Sequence, residues 1–164
     1  MVETHQPEAD LAAYHKALYG IEKEYRLSKV AKVSAFMYGQ QGINICYGDG
    51  LINQHDAFPD IKDGTFDLLV ANPPYMGSRN MTSQLAEFAQ TWFPDSKSDL
   101  CAMFIERCLS LVKPDGLVGM VTMHAWMFIA SFLRFTPPVA ATRLSLFSMT
   151  AGDRVAWPFL KAIL

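Results

Sequence analysis

The chain has 164 residues, 51% of them apolar and 18% charged, and a net charge of -2. This is material for one domain or a piece of one, and it is too apolar for a disordered segment. Without a basic excess, much of the grip on any nucleic-acid partner would lie elsewhere.

Cys46, Cys101 and Cys108 are odd in number and show no paired CxxC spacing, so reduced thiols filling a core are expected rather than a disulfide framework. No basic cluster leads into an apolar run at the N-terminus, which gives no signal peptide or presequence and predicts a cytoplasmic protein. The most apolar stretch, 120–132, contains His124 and is soon followed by Arg134. It is too short and polar for a bilayer span, and reads as a buried strand followed by a helix.

In chain order, residues 9–18 have mixed apolar spacing, and 18–22 read as a short strand ending in Glu22. Residues 23–38 read as an amphipathic helix. Tyr25, Val30, Val33 and Met37 form its apolar side, Lys23, Arg26, Lys29 and Lys32 fall between them, and Gly39 closes it. Residues 43–47 alternate like a strand and stop at Gly48-Asp49-Gly50, which presents an aspartate at the strand's end.

The continuous apolar run 66–71 suits the middle of a parallel sheet covered on both faces, and it delivers the chain into Asn72. Residues 76–97 read as a long polar loop with one helical turn around 85–88. Residues 99–111 form a helix with Leu100, Phe104, Cys108 and Leu111 on one face and Asp99 at its start, stopped by Lys113-Pro114-Asp115-Gly116. A buried strand follows over 117–123, whereas 137–164 is a tail with no assignable pattern. This alternation predicts a doubly wound α/β sheet, with Glu22, Asp49 and Asn72 on the carboxyl edge where such sheets bind ligands.

Asn72-Pro73-Pro74-Tyr75 carries the chemistry. An exocyclic amino group conjugated to a purine is a poor nucleophile, and hydrogen-bond acceptors around it make it more tetrahedral. Asn72 offers a side-chain oxygen, and Pro73 a carbonyl with no competing N–H. The prolines stiffen the turn, and Tyr75 offers an aromatic face to an unstacked base, worth about 1–3 kcal/mol. The plainer reading is a rigid turn with a packed tyrosine, but the position directly after a buried strand favours function.

The string 66–75 resembles the catalytic motif of the adenine-specific (N6) DNA methyltransferases, in a setting most like those of bacteriophage-exclusion systems, and the resemblance covers roughly 18–128. It implies a Rossmann-like fold that uses S-adenosylmethionine, with 1–136 as a partial catalytic domain. It further implies double-stranded DNA with a flipped adenine as substrate, other phage-defence subunits as partners, and neither membrane nor metal. Asn72, Pro73, Pro74 and Tyr75 would be catalytic. Glu22 would hold the cofactor's ribose hydroxyls and Asp49 its adenine amino group.

Each has a bland alternative. Glu22 can be an ordinary charge at a helix start, and Asp49 a plain turn residue. Phe104 reads as core and His124 as a structural histidine, while Arg79, which could meet a phosphate, reads as solvated. The family's first strand and glycine-rich loop should precede Glu22, yet no glycine precedes Gly20, and no segment for target recognition follows. A fragment of a larger methyltransferase is therefore expected. The alternatives are an inactive remnant or interaction module, or the same chemistry on RNA or protein nitrogen.

Overall fold

The computed structural model describes residues 13, 16–40, 42–52, 58–59, 61–122, 143–150 and 153–158, the last two segments as backbone. Most of 9–18, Met123, His124 and the helix expected after the 117–123 strand lie outside the described residues. The chain divides into two compact units, residues 1–61 and 62–164.

In the first unit, β1 (Tyr19–Glu22) runs parallel to β2 (Asn44–Tyr47), with Tyr19 opposite Asn44 and Glu22 opposite Tyr47. Parallel neighbours need a crossover, and α1 (Tyr25–Met37) supplies it. Glu24 caps α1, its side chain accepting from Leu27 N at 2.7 Å. The helix ends where Gly39 takes a φ of 79°: its amide reaches the Phe36 carbonyl and that of Gln40 the Ala35 carbonyl, a Schellman closure that only a residue tolerant of positive φ makes cheaply.

The helix is present as expected, but its inward side differs. Ser28 is buried and Ala31 and Ala35 are half-buried, whereas Val30, Val33 and Met37 are 59%, 58% and 78% exposed. Both sets recur at helical spacing, so periodicity cannot choose between them. Small side chains permit the closer approach to a sheet of two four-residue strands.

In the second unit the strand order is β3 (Phe66–Ala71), β4 (Val112–Thr122), β5 (Arg143–Thr150), β6 (Asp153–Pro158). The first three are parallel and β6 is antiparallel to β5, so part of the 137–164 tail is strand. The core is formed by Cys101, Ala102, Ile105 and Cys108 of α3 (Leu100–Leu111) against Val112, Val118 and Met120 of β4, with Phe66, Leu69, Ala71 and Phe104 around them. Cys101 and Cys108 are thus the core filler expected, and burial pushes the Cys108 thiol up to about 12. Phe104 takes its core role.

Four expectations change. In place of one ladder running through all the strands, the described strands pair as β1 with β2 in the first unit and as β3, β4, β5 and β6 in the second. β3 is an edge rather than a middle strand of the described sheet, covered on one face only. Leu69 and Ala71 meet the core, but Leu68 and Val70 are 59% and 76% exposed.

The segment 76–97 is not one loop: α2 (Ser83–Trp92) fills its centre, capped by Thr82, whose hydroxyl accepts from Leu85 N.

β4 also begins earlier than expected. Phe66 pairs with Val112, then Leu68 with Leu117, so Asp67 alone stands against 113–116 in a large bulge. The residues read as a helix stop are that bulge. Gly116 is buried within it, and a Cβ there would lie 2.9 Å from Val112 Cβ and 3.0 Å from the Phe66 carbonyl oxygen.

Candidate functional site

In the first unit the register of β1 on β2 brings Glu22 and Asp49 to the same carboxyl edge. Gly48 N donates to the Glu22 carbonyl at 3.1 Å, so Asp49 follows one residue beyond the end of the ladder. Asp49 Oδ1 accepts from Leu51 N at 3.0 Å, which folds the turn back on itself, and Asp49 Oδ2 meets Lys23 Nζ at 2.6 Å. Glu22 Oε1 accepts from Glu24 N at 2.8 Å. Glu22 is therefore partly a local cap at the start of α1, which is its bland alternative, and both carboxylates are half-buried.

The second unit places Asn72, Pro73, Pro74 and Tyr75 directly after β3, at its carboxyl end. Pro73 is buried, whereas Asn72 and Pro74 are exposed. Tyr75 is 43% exposed, and its hydroxyl donates to the Val121 carbonyl at 3.2 Å, near the end of the neighbouring strand β4. Burial, and secondarily the nearby Cys101, pushes the Tyr75 phenol up, so it stays a donor. The tether fixes the ring while leaving much of it open.

The backbone leaving Tyr75 is also held. Leu100 N donates to the Met76 carbonyl and Ser78 N to the Ser98 carbonyl, each at 2.9 Å, and Gly77 bridges Asp99 in antiparallel fashion. Asp99 caps α3, its Oδ1 accepting from Cys101 N at 2.8 Å. Burial raises the Asp99 carboxyl above the ordinary aspartate range, and the Cys101 and Ala102 amides pull it back down. The sequence shows Asp99 as a helix start but gives no sign of its link to the turn, which depends on a segment twenty residues away folding back.

Arg79 sits exposed on a single 3-10 turn (Ser78–Asn80). Among the described residues no group of three or more His, Cys, Asp or Glu could hold a metal ion, and no helix is long and apolar enough to cross a membrane.

The Asn72–Tyr75 turn in the second unit and the acidic pair in the first each lie at the carboxyl ends of parallel strands, the edge where open α/β sheets bind ligands. A model of the Eco57I restriction-modification methylases matches residues 16–136, and the chain belongs to that family.

Over 67 residues it is 52% identical to the adenine-specific methyltransferase BrxX of Escherichia coli O9:H4 (strain HS), and 49% identical to the adenine-specific methyltransferase PglX of Lacticaseibacillus casei (strain Zhang). Each match covers 41% of this chain and 6% of the relative. The type II restriction enzyme and methyltransferase RM.Eco57I of Escherichia coli is 26% identical, over 65% of this chain and 14% of its own length. The chain thus spans a small part of the length of these relatives.

Proposed function

We propose that this chain carries the catalytic turn of a methyltransferase that moves a methyl group from S-adenosylmethionine to N6 of a flipped adenine in duplex DNA, in a restriction-modification or phage-defence setting. The observation that carries the proposal is the Asn72–Tyr75 turn, with Asn72 exposed at the carboxyl end of β3 and Tyr75 tethered to Val121. The names of the relatives support adenine in DNA over RNA or protein nitrogen as the acceptor.

The acidic pair fits the nucleoside part of the cofactor. Glu22 engages the Glu24 amide through Oε1 and has a second oxygen to offer ribose hydroxyls, and the Asp49 carboxylate is an acceptor of the kind the cofactor's adenine amino group needs. S-adenosylmethionine, when bound, supplies an electrophilic methyl on a sulfonium. The Asn72 side-chain oxygen and the Pro73 carbonyl accept from the two amino hydrogens and draw the nitrogen lone pair out of conjugation. Tyr75 stacks on the base and orients it. Pro74 keeps the turn rigid and adds no N–H that would compete for those acceptors. The fold this reading calls for is the Rossmann-like one of S-adenosylmethionine-dependent methyltransferases.

The test is calorimetric titration of the chain with S-adenosylmethionine, followed by methyl transfer to an adenine-containing duplex. Saturable binding that weakens in Asp49→Ala, with transfer abolished in Asn72→Ala, is the expected result. Binding that ignores Asp49, or transfer that survives Asn72→Ala, would refute the reading.

A further inference from the structure

Leu100, Cys101 and Ala102 contribute the opening amides of α3, which have no acceptor four residues back within the helix. Leu100 N is used outside the helix, on the Met76 carbonyl. The next amide, Cys101 N, goes to the Asp99 carboxylate at 2.8 Å, and the Ala102 amide also interacts with that carboxylate. One side chain therefore satisfies the amides beside the one that holds the exit of the Asn72–Tyr75 turn. The same residue adds a backbone bridge to Gly77, and Ser98 just before it accepts from Ser78.

We propose that Asp99 is a positioning residue for Tyr75: by fixing the first turn of α3 it pins Met76 and Gly77, and so sets where the Tyr75 ring stands. The functional part of this inference rests on the methyltransferase reading above; the geometric part does not.

Two anchors define the tyrosine. Its hydroxyl is held by Val121 on β4, and its backbone is held one residue later by Leu100 on α3. A ring held at only one end would swing about that end, and a stacking platform works only when the ring is held near one orientation. Burial of Asp99 disfavours its charged form, so the carboxylate is kept here at a cost that an ordinary surface cap does not carry.

The experiment uses the chain labelled with 3-fluorotyrosine. The Tyr75 fluorine resonance is assigned as the one missing from Tyr75→Phe among the six tyrosines. Asp99→Ala is expected to move that line by more than its own width at a temperature where circular dichroism remains native. Asp99→Asn, whose amide oxygen still accepts from Cys101 N, returns it to the wild-type position. Thr82→Ala strips the same kind of cap from α2 and leaves it in place.

A Tyr75 line unmoved in Asp99→Ala, or moved equally by Thr82→Ala, overturns the proposal. If Asp99→Ala does not fold, Leu100→Pro deletes the N–H that reaches Met76. Proline suits the first helical position, and Asp99 already has the extended backbone, φ -151° and ψ 130°, that proline requires before it. An unmoved line in that variant is equally fatal. The readout uses neither cofactor nor DNA, so failure of methyl transfer leaves it standing, and an unmoved line in an active chain removes the positioning role alone.

Discussion

The hydroxyl of Tyr75 donates to the backbone carbonyl of Val121 across 3.2 Å, joining the turn after β3 to the end of β4. Tyr75→Phe removes this tether and keeps the ring, whereas Tyr75→Ala removes both. If the ring stacks on the base, Tyr75→Ala loses about 1–3 kcal/mol of base binding, roughly 5- to 150-fold. Tyr75→Phe loses less. Fluorescence titration with duplexes carrying 2-aminopurine at the target position measures both; equal losses would locate the effect in the tether and remove stacking from the mechanism.

Lys23 and Asp49 form an ion pair whose lysine is 78% exposed, so its net worth is small, about 0–1 kcal/mol. Lys23→Ala should therefore leave the thermal midpoint almost unchanged. Asp49→Ala additionally strips the acceptor from Leu51 N and should cost about 1 kcal/mol more. Denaturant melts of the two variants decide this, and a larger loss in Lys23→Ala would reverse the assignment.

Glu106 Oε2 accepts from the hydroxyl of the fully buried Ser96 at 2.5 Å. Burial raises its carboxyl above the ordinary 4.5, the Ser96 bond lowers it, and Asp95 raises it again. A carboxyl whose folded value is raised holds its proton more tightly when folded. Its stabilising contribution is complete below the ordinary value and is lost as pH rises through the folded one. Glu106→Gln keeps an acceptor for Ser96 without the charge. Its melting temperature relative to wild type should climb as pH is raised from 4.5 upward; a difference that stays flat or falls would contradict this.

Gly116 has no room for a side chain, with the Val112 Cβ, the Lys113 carbonyl and the Phe66 carbonyl all within 3.0 Å of the place a methyl would take. Two of these neighbours are backbone and cannot rotate away. Gly116→Ala should destabilise by about 1–3 kcal/mol, as overpacking does. Gly77→Ala, with nothing within 4 Å, supplies the contrast. Urea denaturation midpoints would show the first falling well below the second, and equal midpoints would mean that the bulge relaxes freely.

Most elements are legible in the sequence because their signals are local. The runs that form β1, β2, β3 and α3 carry apolar patterns bounded by turn residues, and Asn72 to Tyr75 stands out by its prolines alone. α2 reads as loop because Ser83, Gln84 and Gln90 dilute its pattern, although Thr82 followed by Leu85, Phe88, Ala89 and Trp92 has helical spacing. The inward side of α1 is ambiguous because two stripes share one period. The start of β4 is hidden because Lys113-Pro114-Asp115-Gly116 has the composition of a turn, and a wide bulge has that composition too. For the site, residue types and order show in the sequence. The Tyr75 tether and the Met76–Leu100 bond do not, because each joins residues more than twenty positions apart.

Among the described strands β3 stands at the edge of its sheet, which has a bearing on how the turn moves. Of the described ladders, opening β3 breaks one, whereas opening β4 breaks two. Amide exchange in Leu68, Leu69 and Val70 should consequently run ahead of that in Val118 and Met120, and the strand carrying the turn can breathe while the core under α3 stays closed. On the function proposed above, the turn would take slack from this edge when a planar base enters, and the packed interior would be spared the work of supplying it.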